Sequence, residues 1–306
     1  MAVLGVVVNP AANGNRGSAP GAGVVRELTA AGHEVIDLSA DSAEAAQLRA
    51  RTMCTEGGRR PDAVVVVGGD GMVHLGVNAV AGTGVPLGLI AIGSGNDFAR
   101  TVGLPAHDGR AALRALEAAL EQGPRPIDVL RADGAHGTRR TACVLSAGFD
   151  AAVNARANTY TFPPGGGKYL RAVAAELRGF RPYGYTITID GQRRELAGTL
   201  VAIANGPYFG GGMKIVPQAR NDDGLADVLI GHEVTAGQLL RLLPKIYAGT
   251  HVQHPAVEIV RAREVVVEPL AGHPPPPDAF GDGELVGALP LSVTVEAGAV
   301  QLLAPA

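Results

Sequence analysis

The chain of 306 residues has only two cysteines, Cys54 and Cys143, far apart and without metal-type spacing. That leaves no basis for a disulfide scaffold and reads as two reduced, buried thiols, which suits the cytoplasm. An excess of basic charge is also missing, since the formal net charge is -3. No global field therefore draws the chain onto nucleic acid, and any anionic ligand must be bound locally. No segment reaches the roughly 18 uncharged apolar residues expected of a membrane-spanning helix. The N-terminal "MAVLGVVVNP" lacks a basic n-region and reads as a first core strand rather than a signal peptide. If this protein meets a membrane, it does so from the surface. Internal repeats and low-complexity tracts are absent as well.

What is present is the composition of a soluble globular protein with many tight loops, 46% hydrophobic and 18% charged, with 43 glycines and 21 prolines. The length allows two ordinary domains. Over the first 125 residues or so, strand-like and helix-like stretches alternate: "VLGVVV", a helix near Val24 to Ala31, "HEVIDLS", a helix around Ala43 to Thr55, then "AVVVVGG". A helix to Val80, the strand "PLGLIAIG" and the helix "GRAALRALEAALEQ" follow, the last with Leu113, Leu116 and Leu120 on one face. Such alternation predicts a doubly wound parallel sheet whose ligands sit at the carboxyl ends of its strands.

After "QGPRPIDVL" the pattern changes to strand-like runs separated by turns, with Asp190-Gly191 as a hairpin signal. This predicts a second, mainly antiparallel and β-sandwich-like domain over residues 127–295, with the nucleotide-type domain over 1–126 rejoined by about 296–306. Two helices are expected within it, one near Tyr169 to Arg178 and one over Ala236 to Tyr247 with Leu239, Leu243 and Ile246 along a face. His251 and His254 read as exposed or hydrogen-bonded loop residues rather than metal ligands.

Three glycine-rich loops follow three of the first domain's strands: "NPAANGNRG", "GGDG" and "GSGND". In a parallel sheet they share one edge, where glycines let backbone N–H groups approach phosphates and helix N-termini add a favourable dipole. Asp70 and Asp97 would repel such a ligand unless Mg2+, or water on it, stood between them. The pattern is neither a P-loop nor a Rossmann fingerprint, because no Gly-Lys-Ser/Thr follows the glycines and "GGDGMV" lacks the G-x-G-x-x-G spacing.

Five segments in order resemble the diacylglycerol kinase catalytic-domain family, especially its soluble bacterial lipid kinases: "VVVNPAANGNRG", "VVVVGGDGMVHLGVN", "PLGLIAIGSGNDFAR", "NGPYFGGGMKIVPQARNDDGLADVLI" and "GDGELV". The resemblance implies phosphoryl transfer from ATP, with Mg2+, to a lipid hydroxyl, the nucleotide lying between the domains. It matches Asn9, Pro10, Asn13, Gly14, Ser39, Gly68, Gly69, Asp70, Gly71, Ser94, Gly95 and Asn96 to nucleotide contacts. Asp70, Asp97 and Asp128 match a carboxylate network that holds the catalytic Mg2+ through water. Asp282 and Glu284 match the candidates for the base that takes the hydroxyl proton, with Glu284 favoured. A second, structural metal loop would use Asp223 and the Leu225 carbonyl. Arg220 stands where the family often has another oxygen ligand, so either Asp222 substitutes or the site is weak or empty.

Met72 and Ser94 stand where the family usually has threonines, and neither change removes a candidate carboxylate. In "NTYTFPPGGGKYLRAV", Tyr160 and Phe162 beside Lys168 and Arg171 suggest a loop that meets an anionic bilayer. The expected protein is thus a cytoplasmic lipid kinase, peripheral at the inner membrane face, whose family allows a homodimer. Two alternatives stay open: a soluble-acceptor kinase of the NAD kinase type, and a non-catalytic lipid- or nucleotide-binding regulator. The sequence does not select among diacylglycerol, a sphingoid base and a prenol, since an apolar cleft discriminates weakly between chains.

Overall fold

Val64, Val65, Val66 and Val67 are fully buried, as residues of a strand covered on both faces must be. The computed structural model describes residues 1–9, 20–56, 58–160 and 166–305. The chain divides into two compact units, Met1–Asp128 with Gly298–Ala306, and Val129–Ala297. No described helix is long and apolar enough to cross a membrane.

The first unit runs β1 (Val3–Val8), α1 (Pro20–Ala30), β2 (Glu34–Asp37), α2 (Ala43–Thr55), β3 (Ala63–Gly68), α3 (Asp70–Val80), β4 (Leu87–Ala91), α4 (Asp97–Thr101), α5 (Gly109–Gln122) and the start of β5 (Arg125–Gly134). Its strands lie in the order β4-β3-β1-β2, all parallel. On one face Leu4, Val6, Val65, Val67 and Ile90 pack with Leu28 of α1 and Leu113 and Leu116 of α5. Each such leucine contributes about 1.5–3 kcal/mol of burial. On the other face α3 approaches so closely that a Cβ at Gly76 would meet Leu87 at 2.7 Å and Val66 at 2.9 Å. Helices thus cover both faces, which is the doubly wound arrangement that the alternating pattern predicts. The Asp108 side chain caps α5 by accepting from the Ala111 N–H at 3.0 Å, a cap worth about 1 kcal/mol.

The second unit continues from β5 into β6 (Gly137–Thr141), β7 (Val144–Gly148), α6 (Phe149–Asn158), α7 (Gly166–Leu177), β8 (Tyr183–Ile189), β9 (Gln192–Ala204), β10 (Tyr208–Phe209), β11 (Met213–Lys214) and β12 (Ala226–His232). Then come α8 (Ala236–Ala248), a 3-10 turn at His251–Gln253, β13 (Val257–Ala262), β14 (Glu264–Pro269), β15 (Ala279–Gly281), β16 (Glu284–Gly287) and β17 (Leu291–Leu302). Strand pairings here are antiparallel, in the order β16-β15-β7-β9-β8-β14-β17 with β12 also on β9. The chain leaves the first unit inside β5 and returns to it inside β17, whose Leu302 pairs with Leu87 in parallel.

Two details depart from the sequence pattern. Helix α6 is unannounced, because "FDAAVNARAN" carries no strong apolar stripe. In α8 the buried line is Leu239, Leu242 and Ile246, with Leu243 only half-buried. His251 is the hydrogen-bonded of the two expected kinds, buried with Nε2 2.9 Å from the Ile215 carbonyl. Both cysteines are buried and free.

Burial lowers the His251 pKa below its usual value, against the weaker pull of hydrogen bonds to the Ile215 and Lys245 backbone. The folded state therefore disfavours the imidazolium, and the unfolded chain binds more protons below about pH 6.5. Stability should be full above that pH and fall as acid is added. The expected result is a melting temperature that drops more steeply between about pH 7 and about pH 5 in the wild type than in His251→Gln. Equal slopes would assign the acid sensitivity elsewhere.

Candidate active site

The carboxyl ends of β1, β3 and β4 bring Asn9 and the "GGDG" and "GSGND" loops to one edge of the first unit. The Asn9 N–H donates to the Val67 carbonyl at 3.2 Å, and the Val8 N–H donates to the Ser39 hydroxyl at 3.0 Å. A Cβ on Gly93 would lie 2.3 Å from the Cα of Gly69, so the "GGDG" and "GSGND" loops touch backbone to backbone. At Gly68, a Cβ would strike the Met72 side chain at 2.5 Å. Gly71 and Ser94 are exposed along this edge. Pro10, Asn13 and Gly14 lie outside the described residues.

Asp70 opens α3 and Asn96 precedes α4, and the two helix starts face each other. Asn96 takes the left-handed conformation at φ 59° and donates from Nδ2 to the Gly93 carbonyl at 2.8 Å, closing the loop on itself. The Phe98 N–H then donates to Asp70 Oδ1 at 3.1 Å. A Cβ at Gly95 would sit 2.5 Å from Asp70 Oδ2, which accounts for that glycine. Burial, and next the neighbouring Asp97 carboxylate, push the Asp70 carboxyl above the usual aspartate range, while the N–H groups of Phe98, Asp97 and Asn96 pull it back. Arg100 balances Asp97 with an ion pair of 2.9 Å.

Two adjacent carboxylates, Asp97 buried and Asp70 half-buried with no protein cation shown against it, form a hard oxygen donor set, and this chemistry fits Mg2+. Among the described residues no group of three or more His, Cys, Asp or Glu side chains forms a ready cation cage. Asp128, also buried, accepts from the Gly298 N–H at 2.8 Å and so fastens β5 to the returning end of β17.

In the second unit Asp282 and Gly283 form the tip of the β15–β16 hairpin, both at positive φ (52° and 88°). This is the backbone that an Asp-Gly pair favours. The Asp282 carboxylate accepts from three consecutive backbone N–H groups, those of Ala142 (2.6 Å), Cys143 (2.9 Å) and Val144 (3.3 Å). Its oxygens are thereby committed to holding the hairpin on β7. Asn154 of α6 holds the same tip from the other side, donating to the Gly283 carbonyl at 3.1 Å and accepting from the Tyr169 hydroxyl at 3.1 Å. Glu284 is exposed and lines a depression of about 460 Å3 with Phe280, Leu285, Ala155, Asn158 and Asp278.

The expected structural metal loop is filled by arginines. Arg220 reaches Asp222 at 3.0 Å, Arg261 pairs with Asp223, and Asp223 Oδ1 also accepts from the Leu225 N–H at 3.1 Å. Tyr160 packs against the helical core with the Arg171 guanidinium 4.1 Å from its ring centroid, and Phe162 lies outside the described residues. Residue patterns gave no role to Asn154, Tyr169 or His107. The last lies 3.4 Å from Asn96 Nδ2 and lines a cavity of about 580 Å3 between the starts of α1 and α5. Nor did they single out Asp150, a carboxyl that burial pushes up in pKa and that accepts from Ser146.

Known proteins match this chain over both units. Residues 3–132 match the diacylglycerol kinase catalytic domain, and residues 143–304 match the YegS C-terminal NAD kinase beta sandwich-like domain. A diacylglycerol kinase of Mycobacterium tuberculosis is 34% identical over 92% of this chain and 89% of its own length. A probable lipid kinase, YegS-like, of Shewanella frigidimarina is 31% identical over 61% of this chain and 60% of that one. A crystal structure of a diacylglycerol kinase from Bacillus anthracis superposes with a TM-score of 0.70, at 19% identity, over 99% of this chain and 96% of that one. With a family model over each unit and a relative aligned along nearly all of its length, the chain belongs to the diacylglycerol kinase family of lipid kinases.

Proposed function

We propose that this protein transfers the γ-phosphate of ATP to the hydroxyl of a lipid, with diacylglycerol as the acceptor and phosphatidic acid as the product. The observation that carries the reading is the division of labour in the hairpin tip. Asp282 is fixed by three backbone donors, whereas Glu284, two residues on, stands exposed beside a partly apolar depression. The name of the 34% identical relative supports the choice of acceptor.

In this reading Glu284 is the base. As the acceptor oxygen bonds to the γ-phosphorus, the hydroxyl proton passes to the Glu284 carboxylate and the bond from phosphorus to the ADP oxygen breaks. Asp282 is a positioning residue that sets where Glu284 stands. Backbone N–H groups of the Gly68–Gly71 and Gly93–Asn96 loops receive the phosphates, aided by the start of α3. Asp70 and Asp97 would hold Mg2+, with Asp128 supporting the strand end behind them. Bound there, Mg2+ would neutralise charge on the phosphate oxygens. Arg220 and Arg261 close the second loop in place of a cation.

Radiolabel transfer from ATP into diacylglycerol in mixed micelles, beside NAD as rival acceptor, tests the assignment. Labelled phosphatidic acid is expected, with kcat reduced about 10²–10⁴-fold in Glu284→Gln. Label in NAD instead would overturn the lipid reading, and binding of ATP without transfer to either would favour a regulator. Gly93→Ala should weaken ATP binding, measured by calorimetry, because its methyl cannot fit against Gly69. Arg220→Asp should gain a Mg2+-dependent rise in melting temperature beyond any shown by the wild type. If the wild type already rises as much, the second loop binds metal despite its arginines.

A further inference from the structure

Helix α8 buries one line of side chains and leaves another in water. Leu239, Leu242 and Ile246 face inward, the leucines packing with Phe149, Val153 and Ala157. Leu240, Pro244 and Tyr247 recur at helical spacing on the outside, and Leu240 and Tyr247 are 56% and 55% exposed. Single exposed apolar residues need no explanation, but this line runs beside Arg241 and Lys245, both exposed. The helix carries no Asp or Glu. Lys214 adds a third cation where its side chain lies against the helix end, 3.5 Å from a Cβ placed on Gly249. Pro244 has no N–H, so the Leu240 carbonyl lacks its helical donor on this same outer side.

Thr235 and Gln238 cap the helix reciprocally, and Gly249 ends it in the left-handed conformation at φ 73°. The outer face is therefore a fixed surface rather than a fraying end. The nearest acids in sequence are Glu233, before the helix, and Glu258, which is engaged by Arg194 and His232. In a chain of net charge -3, a helix with only cations among its charged residues is a local choice.

We infer that the outward face of α8 is a docking surface for a bilayer containing anionic phospholipid, with Leu240 and Tyr247 entering the interface and Arg241 and Lys245 meeting lipid phosphates. The inference rests on the lipid-kinase reading for its purpose, since the acceptor resides in a bilayer. Leucine and tyrosine beside basic residues are what an interfacial helix requires, and an anionic surface rewards each nearby cation. A second copy of this chain is the poorer occupant. A two-fold pairing of α8 would bring Arg241 and Lys245 against their own counterparts with no acid on the helix to meet them.

The test is vesicle co-sedimentation of the full chain, using phosphatidylglycerol–phosphatidylcholine vesicles and pure phosphatidylcholine vesicles. The wild type should bind the anionic vesicles, lose binding at high salt, and ignore the neutral ones. Both Leu240→Ser/Tyr247→Ser and Arg241→Gln/Lys245→Gln should reduce binding on the order of tenfold or more, with unchanged melting temperatures. Activity on vesicle-borne diacylglycerol should fall with binding, while activity on a soluble short-chain diacylglycerol should not. Wild-type binding by both variants would overturn the inference, as would a dimer in ultracentrifugation that Leu240→Ser/Tyr247→Ser dissolves while vesicle binding persists. If the wild type binds through α8 yet phosphorylates no lipid, the docking surface stands and the proposed activity fails.

Discussion

The carboxyl-end loops of the first unit depend on two backbones touching. Gly69 and Gly93 meet where any side chain would force the loops apart, and everything that follows them is arranged by that contact. It brings the start of α3 against the start of α4, so that the Phe98 N–H reaches Asp70 and the Asp70 and Asp97 carboxylates become neighbours. Two like charges drawn together out of bulk water are costly without compensation. Arg100 answers one of them, and the other remains under the influence of burial and Asp97. An arrangement that is unfavourable for the protein alone is suited to a ligand that carries positive charge.

The second unit uses the opposite strategy. At its hairpin tip a carboxylate is saturated by three N–H donors, and a second hold comes from Asn154 on the Gly283 carbonyl. The tip is therefore held from β7 and from α6 at once, and Glu284 stands exposed beside it.

Much of this was legible in the residues. Alternating strand and helix patterns gave the doubly wound unit, because both faces of β3 must be apolar and Val64 to Val67 are. The glycine loops were visible because only glycine tolerates the approach made at Gly93. Helix α6 was not visible, since its "FDAAVNARAN" has neither a capping residue nor a strong apolar stripe, and its packing partners come from α7 and α8. Asp282 and Glu284 looked alike as carboxylates in one motif. Only the distances from Ala142, Cys143 and Val144 separate them, and those depend on residues some 140 positions away. Likewise, no local pattern shows that Asp128 receives the Gly298 N–H, a contact between residues 170 apart.

That last contact belongs to a wider feature, the return of β17 to the first unit, where Leu302 pairs with Leu87 and Gly298 with Asp128. A sheet begun early is completed by a strand made about 200 residues later. During synthesis the parallel sheet must wait, with the edge of β4 uncovered, until the whole second unit has been translated. Because sheet edges are templates for wrong pairing, the newborn protein is exposed to misassembly of this sheet until β17 emerges. The same delay means that translation cut short ahead of β17 leaves the first unit without its closing strand.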